Sequence, residues 1–195
     1  MPRIDPLPIE SLPAEFQERM KQGQSKMGFK ANDGLTFARV PGLMEGLSGL
    51  TWAIYGKDGL VTNEIKRLVS IITSSAAGCV YCQSHTVHGA DMAGIDEAKI
   101  KAIWDYENSP LFSDAERAAM RVAQGAGHAP VEVTDKDFAE LKKHFDDNQI
   151  CEIVSVIALF GFLNKWNATL STDIEASPLA ALKKLGPDAN AAGSQ

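Results

Sequence analysis

Residues 62 to 78 read T-N-E-I-K-R-L-V-S-I-I-T-S-S-A-A-G. Their apolar side chains Ile65, Leu68, Val69, Ile72 and Ala76 recur at intervals of three and four, the period of an amphipathic helix with one buried face. Thr62 or Asn63 supplies an N-cap and Gly78 the stop. A strand would need apolar and polar residues to alternate, and this stretch does not. The same pattern recurs along most of the chain. After a Pro-rich N-terminal arm (1–12), helices are expected from Pro13 to Met27, from Pro41 to about Gly56, and from the 78–82 region to about Ala93. Others follow from Asp96 through Trp104, from Ser113, from Thr134, and from about Asn148 to Leu170. Only V-E-V at 131–133 has strand character, and it is too short to build a sheet. The expected fold is all-α: one compact helical bundle spanning 1–195, with a disordered tail over 186–195.

A chain of 195 residues is long enough to bury a core without disulfide or metal staples. A net charge of -6, with no Lys/Arg cluster, gives no footprint for nucleic acid. The apolar run Ile153 to Leu163 is too short for a bilayer and reads as a core helix, so no membrane partner is expected. The start M-P-R-I-D-P-L-P lacks the apolar stretch of a secretory signal. Three cysteines are too few and odd in number for an extracellular disulfide framework. The expected home is a reducing cytoplasm.

Chemistry concentrates in G-C-V-Y-C-Q-S-H-T-V-H-G, residues 78–89, at the head of a helix. Free amides and the helix dipole stabilise a thiolate there. The Cys79/Cys82 spacing puts both sulfurs on one face, within disulfide reach. Such a pair can reduce an acceptor with one sulfur and close a disulfide with the other. Nearness to the helix start favours Cys79 as the more acidic thiol, whereas His85, three residues past Cys82, can take that sulfur's proton. A thioredoxin fold needs strands that this sequence lacks. The rival expectation for Cys79, Cys82 and His85 is zinc, in a zinc-stabilised or non-catalytic helical oligomer with a binding or regulatory role; such a site needs four converging ligands, which one helix cannot wrap around a metal. His128, His144 and Cys151 are the remaining zinc candidates, but they read as a loop residue, a helix-end cation and a core residue. The Met44, Leu47, Leu50 and Trp52 stretch reads as core or subunit interface, and Asn164, Trp166 and Asn167 as polar packing or subunit contacts rather than catalytic groups.

This motif resembles the carboxymuconolactone decarboxylase-like superfamily, specifically its AhpD-like (alkylhydroperoxidase D) and peroxidase-related branch. F-S-D-A-E-R-A-A-M-R-V-A from Phe112, the V-T-D-K-D-F-A-E-L-K-K-H-F-D-D segment from Val133 and I-V-S-V-I-A-L-F-G-F-L-N-K-W-N from Ile153 extend the resemblance over roughly 40–172. It implies an oligomeric, thiol-dependent peroxidase in which Cys82 attacks a hydroperoxide and Cys79 resolves the product. It also implies no resident cofactor and an external thiol or dithiol electron-donor protein. The decarboxylases that name the superfamily do not depend on the cysteine pair. Two positions depart from the family pattern. Its histidine falls on Thr86, with His85 one residue earlier, and its glutamate falls on Arg67. The nearest carboxylate is Glu64. In an antiparallel hairpin about Gly78, Glu64 is offset by roughly 10 Å from His85 and about 6 Å from His88. A relay Glu64–His88–His85–Cys82 is one expectation; Glu64 complementing the N-terminal end of its own helix is the other.

Overall fold

The computed structural model describes residues 1–56 and 59–184, and all regular structure in them is helical. The expected disordered tail lies outside the described residues. Ten α-helices follow in order: α1 (Ala14–Met27), α2 (Asn32–Phe37), α3 (Leu43–Tyr55), α4 (Asn63–Ala76), α5 (Val80–Met92), α6 (Glu97–Lys101), α7 (Asp114–Gly127), α8 (Asp135–Leu141), α9 (Asp147–Leu170) and α10 (Ala176–Lys183). Residues 131–133 form irregular chain, not strand; there the Glu132 N–H donates to the Gly125 carbonyl at 2.8 Å.

Helix α4 is the hub and packs on α5, α7 and α9. Its stripe buries Leu68, Val69, Ile71 and Ile72 against Ala119, Met120 and Ala123 of α7 and Ile153, Val156 and Ile157 of α9. Each such Leu or Ile stabilises the fold by roughly 1.5–3 kcal/mol relative to an exposed one. The contact with α7 is close because Gly127 has no side chain. A Cβ there would meet the Thr73 carbonyl oxygen at 2.8 Å. Beside this core, Lys66 is buried and donates to Glu152 at 2.9 Å and to the Ile54 carbonyl.

Helix α9 is long and apolar enough, by length and composition, to cross a membrane. One face enters the core, while Val154, Ala158, Gly161 and Phe162 face outward. Cys151 is also exposed, which corrects its reading as a core residue. In helix α3 only Ile54 is buried and Trp52 is 73% exposed, which goes against the core reading of this stretch.

Two helices, α2 and α10, occupy stretches where the sequence pattern gives no element, and both shape the site. The Trp166 indole donates to Thr36 Oγ1 at 3.0 Å and packs on Phe37, clamping α2 to α9. Helix α10 packs on α5, with Pro178, Ala181 and Leu182 buried.

Candidate functional site

The cysteine motif is set by how α4 ends. Gly78 takes φ +67°, a left-handed conformation open to glycine at little cost. Its N–H donates to the Ser75 carbonyl at 2.9 Å, and the Cys79 N–H to the Ser74 carbonyl at 3.1 Å. This two-bond closure satisfies the last carbonyls of α4. It also makes Cys79 the N-cap of α5, where its Sγ accepts the Cys82 N–H at 3.3 Å. The two sulfurs lie 2.7 Å apart as free thiols, with the residues only 2% and 3% exposed. Leu163 and Ile174 pack over the pair.

Charge is divided unequally between the sulfurs. The hydrogen bond with the Cys82 sulfur lowers the Cys79 pKa below the ordinary thiol value, more than burial raises it; the Cys82 amide adds to the effect. Burial pushes Cys82 well up, and the neighbouring Cys79 pushes further. The helix-start expectation for Cys79 therefore agrees with the electrostatics. Cys79 is therefore the more acidic thiol of the pair.

Carboxylates arrive from the two helices absent from the sequence pattern. Glu175, the N-cap of α10, meets His85 Nε2 through Oε2 at 2.6 Å. Its Oε1 accepts the Asn32 N–H at 2.6 Å and the Tyr81 hydroxyl at 3.2 Å. Burial would raise the Glu175 pKa, but the His85 hydrogen bond and charge, with the Asn32 amide, hold it below the usual carboxylate value. Tyr81 stacks on His85 with ring centroids 4.1 Å apart, and Phe29 meets the imidazole edge-on at 5.0 Å. Burial, then the charges of Asp33 and Glu175, push the Tyr81 phenol far up, so it remains a neutral donor.

Asp33 of α2 approaches from the other side. Burial raises its carboxyl pKa, opposed chiefly by His85. Asn167 of α9 links it to the sulfurs, its Nδ2 lying 3.4 Å from Asp33 Oδ2 and 3.7 Å from Cys82 Sγ. Asn167, read from sequence as polar packing, thus belongs to the site.

The structure brings together Cys79 and Cys82, and joins His85 to Glu175. It does not bring Glu64 into this group. Glu64 is bound by Lys99 at 2.6 Å, and Lys99 also holds Glu116. His88 Nε2 faces the Met27 carbonyl at 3.1 Å, and its ring lies against Phe29. The relay Glu64–His88–His85–Cys82 is therefore not assembled, because Glu64 faces α6 and the carboxylate on His85 is Glu175. Nor does His85 hydrogen-bond either sulfur among the described residues; its Nε2 is taken by Glu175. The zinc candidates are dispersed. His128 pairs with Glu132, His144 with Glu140, and no three His, Cys, Asp or Glu side chains converge as a metal cage among the described residues.

The carboxymuconolactone decarboxylase family matches residues 41–125, a stretch that includes the cysteine motif. Among solved structures, the debrominase Bmp8, captured as a cysteine-to-alanine variant with 2,3,4-tribromopyrrole, is 31% identical. The match covers 94% of this chain and 97% of that one, with a TM-score of 0.86. An AhpD-core, peroxidase-related protein from Ralstonia eutropha JMP134 is 25% identical over 91% of this chain and 94% of its own, with a TM-score of 0.78. YnjA of Escherichia coli K12 is 25% identical over 93% of this chain and 96% of its own length. The chain belongs to the carboxymuconolactone decarboxylase family and shares the AhpD-like fold of its peroxidase-related members.

Proposed function

We propose that the protein is a thiol-dependent reductase that passes two electrons from the Cys79/Cys82 pair to an organic hydroperoxide. The observation carrying this reading is the buried thiol pair, 2.7 Å apart at a helix start, beside a His85–Glu175 ion pair. Cys79, the more acidic thiol, is the first to ionise. Cys82, the sulfur tied through Asn167 to Asp33, passes its proton to Cys79 across the thiol contact as the acceptor arrives. The Cys82 thiolate attacks the outer peroxide oxygen, the S–O bond forms, the O–O bond breaks and the departing alkoxide is protonated. His85, oriented by Glu175, is the group placed to supply that proton. Cys79 then attacks the sulfenic sulfur of Cys82, forming the disulfide and releasing water. An external thiol or dithiol protein returns the two electrons.

These roles keep Cys82 as attacking sulfur and Cys79 as resolver, replace Glu64 with Glu175, and leave His88 outside the chemistry. No resident cofactor is needed. Self-association would cover the outward apolar side chains of α9, and a reducing cytoplasm would keep the pair as thiols. Hydroperoxide consumption with dithiothreitol as donor tests the reading: turnover is expected in the wild type and lost in both Cys82→Ser and Cys79→Ser. Undiminished turnover in Cys82→Ser defeats it.

The likeness to Bmp8, at 31% identity across 94% of the chain, favours a second reading: reductive dehalogenation. The same dithiol would replace an aryl carbon–bromine bond by carbon–hydrogen, releasing bromide and closing the disulfide. Bromide release from a brominated pyrrole, without hydroperoxide turnover, would select this reading.

A further inference from the structure

Helices α1, α2 and α3 frame an open-sided cavity of about 580 Å³ beside the α4-centred core, against which Leu47 and Tyr55 of its wall also pack. Its walls include Met20, Met27, Phe29, Met44, Leu47 and Trp52, and its rim carries Arg19 and Lys26. The volume is that of a small-molecule site, and the lining has the expected mixture of apolar walls and few polar groups. Three methionines make the walls adaptable, since thioether side chains change rotamer at little cost and contact aromatic rings favourably. Much of this wall comes from α1, Phe29 and α2, which precede the stretch 41–125 that matches the family.

Two residues join the cavity to the cysteine site. Phe29 lines the cavity and meets the His85 ring edge-on at 5.0 Å. It follows Gly28, which ends α1 at φ +82° and so aims the phenyl ring inward. Gly34 also lines the cavity and directly follows Asp33, which is linked to Cys82 through Asn167. An ideal Cβ on Gly34 would stand 3.6 Å from Met20 Sδ, so a larger residue here would take cavity space.

We propose that this cavity binds the apolar body of the acceptor, an aromatic ring or compact alkyl group, and that its reactive end reaches the thiol pair past Phe29. The inference rests on the reductive dithiol reading only for the purpose of the ligand; the site itself follows from the cavity. The walls thus set preference by shape and burial, and the cysteines supply the chemistry.

Binding of cumyl alcohol, a redox-inert ring-bearing probe, is measured by titration calorimetry on the full chain. Two variants fill the cavity from different helices: Gly23→Leu on α1, which also raises helix propensity, and Ser48→Phe on α3. Saturable binding to the wild type, weakened roughly tenfold or more in whichever variants keep the native circular dichroism spectrum, supports the site. An absence of binding to the wild type, or wild-type affinity in a folded variant, overturns it. Hydroperoxide turnover is followed separately. A wild type that binds cumyl alcohol but reduces no hydroperoxide sinks the peroxidase reading and leaves the site supported. One that reduces hydroperoxide but binds no cumyl alcohol does the reverse.

Discussion

Replacing Glu175 by glutamine removes one negative charge while keeping the side chain's shape. The carboxylate accepts bonds from His85 and the Asn32 amide, both at 2.6 Å, and from the Tyr81 hydroxyl at 3.2 Å. Bonds to a charged acceptor contribute about 1 kcal/mol more than neutral ones, and one of the glutamine's two terminal atoms can no longer accept. With the side chain only 9% exposed, solvent repairs little of this loss. The expected destabilisation at neutral pH is about 2–3 kcal/mol, measured by urea unfolding. The sign of its pH dependence follows from the depressed pKa of Glu175. Stability from such a group is complete above the unfolded-state value, 4.5 for glutamate, and is lost as pH falls through the lower folded value. The gap between wild type and Glu175→Gln should therefore shrink in acid. A gap below about 0.5 kcal/mol at neutral pH, or one that persists unchanged well below the folded pKa, would refute the ion-pair account.

Removing the sulfur that hydrogen-bonds Cys79, as in Cys82→Ala, should raise the pH midpoint of Cys79 alkylation toward that of an ordinary thiol, read by iodoacetamide kinetics. His85→Ala should slow hydroperoxide turnover by roughly a hundredfold in a stopped-flow assay. Glu64→Gln should leave that rate within about twofold and cost under about 1 kcal/mol in urea, because its bond to Lys99 lies on a part-exposed surface. Lys66→Ala should destabilise the fold by about 3–5 kcal/mol by leaving Glu152 without its cation, a loss visible in the unfolding midpoint.

The sequence displays those parts of the site that local spacing determines. Cys79, Cys82 and His85 share one helix, so their periodicity and the Gly78 stop place them before any tertiary contact is known. The carboxylates are different. Glu175 lies 90 positions from His85 along the chain and meets it only because α10 docks on α5. No short-range rule points to that pairing, although Leu179 and Leu182, at helical spacing after Ser177-Pro178, are a readable helix signal. Helix α2 has just six residues with Gly34 inside it, and its stability comes from the Trp166 clamp rather than its own propensity. Glu64 misleads for the complementary reason. Axial offset along a hairpin says how far apart two residues are but not which way they face, and Lys99 of α6 draws this carboxylate away. For α3, hydropathy allowed core or subunit interface, and the exposure of Leu50 and Trp52, with Trp52 on the cavity wall, goes against the core alternative.

The central claim is that Cys79 and Cys82 act as a two-electron couple, and counting thiols tests it most directly. The reduced chain carries three cysteines. After one equivalent of cumene hydroperoxide, the account predicts loss of two thiols, a Cys79–Cys82 disulfide by peptide mass mapping, and Cys151 still free. Retention of all three thiols, or oxidation confined to Cys151, would contradict it.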